Sequence, residues 1–405
     1  MTPPTLHADH EITLLKGAIE LFPAMVEAID AARSEVMLET YIFDFSRSAL
    51  TVAEALERAA LRGVTVRVVV DGVGTGDLPD EWRTRWAAAG LRWRIFNPAR
   101  GWRLLVPRRW RRLHRKLCVV DGDVAFCGGV NVLDDHYDPN HGALDEPRLD
   151  FAVRVRGPLV DDVHDTMRRL WLRLQVTRKA RLGDAEGAIT AVRAAARAGV
   201  EEQPHVSRLQ HGAVAALVLR DNFRFRRRIE STYRVAISQA RREIVIANAY
   251  FIPGVQLQRV LLRAAHRGVK ITLLLQGRYE YFMQFHAGRA VYGLLLDAGI
   301  EIIEYEASFL HAKVAVMDAP NGALATVGSS NLDPLSLLLA REANVFVSDD
   351  AFAAEMLGHL RHAITHQGRR VDPGVHASRP VWTRAMNWVA YGLMRFMLLI
   401  TGMKY

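Results

Sequence analysis

Long apolar runs alternate with stretches of helical period along this chain. Residues 34–43 (SEVMLETYIF) and 62–72 (RGVTVRVVVDG) are β-rich, and the second follows a glycine-led turn. Between them VAEALERAALRG (52–63) places apolar residues three and four apart, which predicts a helix with one buried face. The strand-like runs are apolar throughout instead of alternating, as befits strands covered by helices on both faces of a sheet. Strand, helix, strand order predicts an α/β chain with mixed, largely parallel sheets.

These elements recur in the same order further on. REIVIANAYF (242–251) matches the first run, RGVKITLLLQG (267–277) the second, and QLQRVLLRAAHRG (256–268) the helix between them. LHRKLCVVD (113–121) returns as LHAKVAVMD (310–318), and GGVN (128–131) as GSSN (328–331). The chain therefore divides into two collinear α/β halves, a repeat far too long for a solenoid. The expected halves are residues 1–177 and 207–375. Alanine- and arginine-rich residues 178–206 read as a helical bridge, or as a surface helix inserted in the first half. Residues 376–405 form an apolar C-terminal segment. A length of 405 residues suits two or three domains that bury their cores without staples.

Charge narrows the partners. Lys and Arg total 53 against 44 acids, a net charge of +9. Nearly all of the excess is arginine, which binds phosphate bidentately, so a polyanion is expected: nucleic acid, an anionic membrane or a phosphorylated substrate. Two cysteines exclude a disulfide scaffold and fit a reducing compartment. Cys118 and Cys127 flank one turn and could face each other across a hairpin; both read as buried thiols. No run of eighteen uncharged apolar residues is present to give an orthodox membrane span. The N-terminus, lacking a basic region and a long apolar core, does not read as a signal peptide.

The chemistry sits in a motif that each half carries, His-x-Lys-x4-Asp: His114, Lys116 and Asp121, then His311, Lys313 and Asp318. Alternate strand residues share a face, so each histidine points the same way as its lysine. Halves packed about a pseudo-twofold axis would bring both pairs to one shared active site. Two imidazoles and two ammonium groups suit a phosphodiester. One histidine can attack phosphorus, while the other protonates the leaving oxygen and then deprotonates the incoming alcohol or water. The lysines would hold the non-bridging oxygens. No cofactor is called for, and lysine beside each histidine argues against a metal site. Gly129, Asn131, Ser329 and Asn331 follow the motifs and can bind phosphate oxygens, the competing reading being ordinary hairpin returns. Asp121 and Asp318, grouped here with the catalytic motif, also start turns and have a structural role as the alternative.

The paired motifs with GGxN and GSxN resemble the phospholipase D superfamily, and within it the bacterial cardiolipin synthases, nearest the shorter B-type branch. ETYIF (39–43), DFAVRVRGPLV (150–160), NAYFIPG (248–254) and VGSSNLDPLS (327–336) carry the likeness further, over roughly residues 10–370. The resemblance implies two pseudo-symmetric α/β/α sandwich halves. It implies transfer of a phosphatidyl group between phosphatidylglycerol molecules, with glycerol released and a phosphatidyl-histidine as intermediate. His114 would be the nucleophile and His311 the acid/base. Asp150 and Glu342 sit where the family places carboxylates that orient the imidazoles. The enzyme would work peripherally on the cytoplasmic face of a bacterial membrane. Two departures stand out: a longer turn after Asp318, and Ala340 where the family commonly has asparagine.

Two segments could meet a lipid surface. Residues 100–115 (RGWRLLVPRRWRRLHR) run into His114, and offer Trp102, Arg103, Arg108, Arg109 and Trp110. A solvated basic loop or a nucleic-acid groove would read the same way. Residues 381–405, with Trp382 and Trp388, suit a helix lying in the interface or one packed on protein. Phosphatidylglycerol and an anionic membrane are thus the expected partners. A phosphodiesterase or nuclease using the same pocket is the alternative, with nucleic acid the less favoured partner. The sequence does not fix the oligomeric state.

Overall fold

The structure, a computed structural model, describes residues 6–98, 111–181, 184, 212–220, 227–320, 322–333 and 340–400. The first half supplies ten strands: β1 His7–Lys16, β2 Glu35–Thr40, β3 Thr65–Asp71, β4 Arg92–Phe96, β5 Arg112–Leu113, β6 Lys116–Val120, β7 Val124–Gly128, β8 Tyr137–Asp138, β9 Gly142–Ala143 and β10 Phe151–Arg156. The second supplies β11 Ala213–Arg220, β12 Glu243–Asn248, β13 Lys270–Gln276, β14 Glu301–Tyr305, β15 Lys313–Ala319, β16 Gly322–Gly328, β17 Ala340–Ser348 and β18 Gly368–Arg370.

One sheet crosses both halves, and its middle is the β1–β11 pair. Outward from β1 the order is β10, β7, β6, β2, β3, β4; outward from β11 it is β17, β16, β15, β12, β13, β14, with β18 at the edge. The two orders match strand for strand, so the repeat in sequence is a pseudo-twofold in space. The sheet is mixed, as expected, and its parallel share lies in the flanks β2–β3–β4 and β12–β13–β14. The strands between pair antiparallel, and tight hairpins join β6 to β7 and β15 to β16 among them.

Helices cover the sheet where their apolar faces dictate. Gly17–Ala31, Leu50–Leu61 and Asp80–Ala88 bury Phe22, Leu56 and Trp86 against one face of the first half. Arg228–Gln239 and Val255–His266 do the same in the second through Tyr233 and Leu261. On the other face lies one core common to both halves, roofed by Leu159–Arg181 and Asp350–His366. Val153, Phe151, Val345 and Val347 all belong to it. This shared core fixes the two motifs relative to each other. The helix Leu159–Arg181 runs past the expected boundary at residue 177. Apart from its end and Asp184, the expected bridge over 178–206 lies outside the described residues.

Register corrects one expectation. Cys118 pairs with Phe126 and Cys127 with Leu117, so the two cysteines point to opposite faces of the sheet. Both are free and buried, and burial pushes each thiol up to about 12. The longer turn after Asp318 also finds its form. Strand β15 continues two residues beyond its counterpart, with Asp318 opposite Ala323 and Ala319 opposite Gly322. The added length sits at the hairpin tip, remote from the histidine at the other end of the strand.

Candidate active site

His114 and His311 stand two residues ahead of β6 and β15, where the chain enters those strands. Each is pinned by a backbone bond to the opposite half. His114 N–H donates to the Arg341 carbonyl at 3.0 Å, and His311 N–H to the Leu149 carbonyl at 2.9 Å. The side chains cross over in the same way. His311 Nδ1 lies 2.6 Å from Asp150 Oδ2, a carboxylate of the first half. His114 Nδ1 lies 3.1 Å from Glu342, a carboxylate of the second, and 3.2 Å from the Ser329 carbonyl. The Ser329 hydroxyl donates to the same Glu342. With Nδ1 engaged, Nε2 of each ring is the nitrogen left to react. Both imidazoles, with Asn131, Asn331 and Asp150, line one cleft of about 690 Å³.

Gly129 explains itself through this geometry. A Cβ there would stand 2.2 Å from Asp150 Oδ1, so only glycine leaves room for the carboxylate that meets His311. Its counterpart in the second half is Ser329, whose hydroxyl is used instead of being excluded.

The lysines lie behind the histidines. Lys116 Nζ donates to the His114 carbonyl at 2.7 Å, and Lys313 to the His311 carbonyl. Lys313 Nζ also sits 2.8 Å from His311 Nδ1 and 3.9 Å from Asp150. Four basic groups in one buried site perturb one another. Burial, then Lys313, brings Lys116 down to about 7. Burial brings Lys313 down to about 8, against the pull of Asp150. His311 falls well below its ordinary value through burial and both lysines. His114 is lowered by burial, with Glu342 opposing. Burial raises Asp150 to about 6, while Glu342 is held low because His114, Lys116 and Ser329 outweigh its burial. Burial and mutual repulsion thus disfavour the charged forms of all four basic groups, and a bound anion would favour those charged forms.

Asp121 and Asp318 are not in the cleft, which corrects their grouping with the catalytic residues. Each lies at the far end of its strand, on the order of 15 Å from its lysine at ~3.3 Å per residue. Asp121 accepts from the backbone N–H groups of Arg33, Ser34 and Glu35, at 2.8 to 2.9 Å. Asp318 does the same for Arg241, Arg242 and Glu243. Each carboxylate ties the hairpin to the start of the neighbouring strand, and these bonds hold both below the usual range despite some burial.

Several cleft residues carry no motif in sequence. Tyr41 sets its ring 5.1 Å from that of His114. Arg148 reaches the cleft from between Asp138, at 3.3 Å, and the Asp134 carbonyl, at 2.6 Å. Tyr250 donates to Glu280, and Asn140 donates to the Tyr281 hydroxyl at 3.1 Å. Only Tyr41 and Tyr250 had a signal, as the aromatic ends of the repeated first run. Ala340 lines the cleft and, lacking a polar side chain, offers no bond there.

The expected membrane contacts divide. Trp102, Arg103, Arg108, Arg109 and Trp110 lie outside the described residues. The end of that basic stretch turns inward: Arg112 lines the cleft beside Asp71, and Arg115 is buried against Glu39 at 2.8 Å. Trp382 and Trp388 are 66% and 59% exposed on the helix Val381–Ile400. That helix packs its other side, through Ala390 and Met394, on Ile252 and Ala287. Packing on protein therefore accounts for one face of this helix, and the face that carries Trp382 and Trp388 is left exposed.

Comparison with known proteins adds the family. A family model described as cardiolipin synthase, PLD-like domain, matches residues 25–145 and 233–364. Cardiolipin synthase B of Escherichia coli (strain K12) is 35% identical over 393 residues, covering 97% of this chain and 90% of that protein. A cardiolipin synthase of Geobacillus thermodenitrificans is 29% identical over 87% of this chain and 66% of its own length. The crystal structure of phosphatidylserine synthase from Haemophilus influenzae shares the fold, with a TM-score of 0.65 over 97% of this chain and 96% of that one, at 11% identity. With the doubled fold, the paired motifs and this match along nearly its whole length, the chain belongs to the cardiolipin synthase family of phosphatidyltransferases in the phospholipase D superfamily.

Proposed function

We propose that this enzyme makes cardiolipin from two molecules of phosphatidylglycerol, without a metal, through a phosphatidyl-histidine. The observation that carries the reading is the crossed pair of imidazole–carboxylate contacts on a single cleft. His114 Nε2 attacks the phosphorus of one phosphatidylglycerol. The bond from phosphorus to the glycerol headgroup breaks, and His311 gives its proton to the departing glycerol oxygen. A headgroup hydroxyl of a second phosphatidylglycerol then loses its proton to His311 and attacks the same phosphorus. The phosphorus–nitrogen bond breaks, freeing His114 and leaving cardiolipin.

The division of labour follows from the carboxylates. Asp150 is close to His311 and fixed by its own Phe151 N–H at 2.8 Å, which suits stabilising an imidazolium. Glu342 divides its charge between His114 and the Ser329 hydroxyl, so it draws the proton of His114 less strongly and leaves a neutral nucleophile. The entering phosphodiester brings the negative charge that lets His311 take up a proton. Lys116 and Lys313 supply positive potential from behind the rings, and Gly129, Asn131, Ser329 and Asn331 shape the phosphate seat. Among the described residues no helix is long and apolar enough to cross a membrane. We place the protein peripherally on the cytoplasmic face of the bacterial membrane.

The test is a product assay on phosphatidylglycerol vesicles with EDTA present and the His114→Ala protein as control. Cardiolipin and glycerol from the parent alone are expected. Phosphatidic acid in their place would make water the acceptor. Turnover of single-stranded DNA but of no lipid would replace the reading with a nuclease. Trapping the adduct in each histidine variant checks the roles: a covalent phosphatidyl-enzyme that survives in His114→Ala and not in His311→Ala would reverse them.

A further inference from the structure

Beneath the helix Val381–Ile400 lies a second cavity, of about 300 Å³, apart from the catalytic cleft. Arg379 and Arg384 line it with His376, and neither guanidinium has an ion-pair partner among the described residues. The other charged groups on its walls are Arg289, which is committed to Glu304 at 2.6 Å, and Asp297. Burial and the fields of Arg379, Arg289 and Arg384 depress the His376 imidazole, against the pull of Asp297. Positive charge therefore converges here with little to offset it. Trp388 forms part of the wall and opens onto the outer face of the helix.

That outer face is apolar. Val381, Trp382, Trp388, Val389, Leu393 and Phe396 are all exposed, and at 3.6 residues per turn they fall within an arc of about 140°. The opposite face is the one packed on the protein, and His286 Nδ1 meets Asn387 Oδ1 there at 2.8 Å. Exposed large apolar residues contiguous along a helix, flanked by guanidinium groups and indole rings, match an anionic bilayer surface in both charge and polarity.

We propose that the Arg379–Arg384 cavity is a second, non-catalytic site that seats the headgroup phosphate of an anionic phospholipid, with the exposed face of the C-terminal helix lying among its acyl chains. Guanidinium groups bind phosphate oxygens bidentately, and Trp388 borders the point where headgroup gives way to chain. The site also has a place in the proposed reaction. The helix Val381–Ile400 packs on Phe282–Arg289, where Ala287 faces the C-terminal helix and Gln284 faces the catalytic cleft. The same helix reaches both walls, with Gln284 on the cleft and Arg289 on this cavity. The site would thus hold the mouth of the cleft against the lipid that it consumes.

The inference rests on the proposed function only for that last point, and its test separates the two. The full chain would be co-floated with vesicles of phosphatidylcholine alone and with vesicles containing phosphatidylglycerol. Arg379→Ala/Arg384→Ala is expected to weaken binding to the anionic vesicles roughly 30-fold, from ~1 kcal/mol per arginine at such a surface. It should leave turnover of a short-chain, monomeric phosphatidylglycerol unchanged. Trp388→Ala is expected to weaken binding to both kinds of vesicle. Unchanged thermal melting of each variant would confirm that the fold is intact. Equal binding of the anionic vesicles by parent and double variant would overturn the proposal. So would binding of inorganic phosphate that the double variant loses while its vesicle binding holds, which would make this a free-phosphate site. A parent that binds anionic vesicles through these arginines yet turns over no lipid would leave the site standing and remove the proposed function.

Discussion

Each imidazole takes its carboxylate from the opposite half, so the two halves hold one another's catalytic groups in register. Removing a carboxylate charge at constant shape is therefore the sharpest residue-level test. We predict that Asp150→Asn lowers kcat by about 10²–10⁴-fold, by analogy with the carboxylate that orients a histidine in hydrolases, while vesicle binding holds. Glu342→Gln should follow with a smaller loss, since the Ser329 hydroxyl still fixes the side chain. Gly129→Ala should lose activity comparably to Asp150→Asn, because its Cβ falls where Asp150 Oδ1 now lies. The pH profile has a definite sign. Asp150, raised to about 6, loses its charge as pH falls below that value, and with it the hold on the His311 imidazolium. Lys116 and Lys313, lowered to about 7 and 8, lose theirs as pH rises. The free enzyme should then show kcat/KM falling below pH ~6 and above pH ~7, where Lys116 begins to lose its charge. A bound phosphodiester raises the affinity of both lysines for protons, so the alkaline limb of kcat should lie at higher pH than that of kcat/KM. Coincident limbs would remove the lysines from phosphate binding.

The aspartates of the two motifs show how one sequence signature serves two scales. His and Lys at the start of the strand do chemistry; Asp at its end organises the sheet. Asp318 gathers three consecutive backbone N–H groups that begin β12, and with them fixes where that strand enters. We predict that Asp318→Ala costs roughly 1–3 kcal/mol of stability, the range for hydrogen bonds to a charged group. Specific activity of the folded fraction should stay near that of the parent. Because the folded-state value of this carboxylate is lowered, its contribution is present in full above pH ~4 and is lost as pH falls through the folded value. The melting temperatures of parent and variant should therefore converge in acid. A normal melt with activity abolished would return Asp318 to the catalytic set.

Across the whole molecule, one core joins the halves and one cleft lies between them. Both histidines and both carboxylates are supplied by a single chain, so the site is complete without a second copy. Mixing His114→Ala protein with His311→Ala protein should accordingly restore no activity above the sum of the two, measured as cardiolipin formed. Recovery toward a quarter or more of the parent rate would mean that halves exchange between chains. The C-terminal helix adds the other feature of this scale: it anchors one face on the second half and leaves an apolar face outward, beside a basic cavity that no local pattern announced.

Local sequence determined the strands, the helices between them, the doubling of the chain and the pairs His114–Lys116 and His311–Lys313. Hydrophobic period and motif spacing act over a few residues and can be read directly. Even the mixed sheet was legible in outline, although its centre is antiparallel. What the sequence left open was every choice made between distant residues. Asp150 and Glu342 were placed near the motifs by resemblance, but their exchange between halves depends on the pseudo-twofold pairing of β1 with β11. Asp121 and Asp318 carried the same motif signal as the histidines, and only strand length separated them from the cleft. Cys118 and Cys127 read as buried thiols, but whether they faced each other across the hairpin was open until register put them on opposite faces. Arg148, Glu280 and the Arg379–Arg384 cavity had no signal, because their neighbours come from segments remote in the chain. Periodicity and spacing are properties of the chain, whereas a carboxylate's partner and a guanidinium's surroundings exist only once the shared core has brought the two halves together.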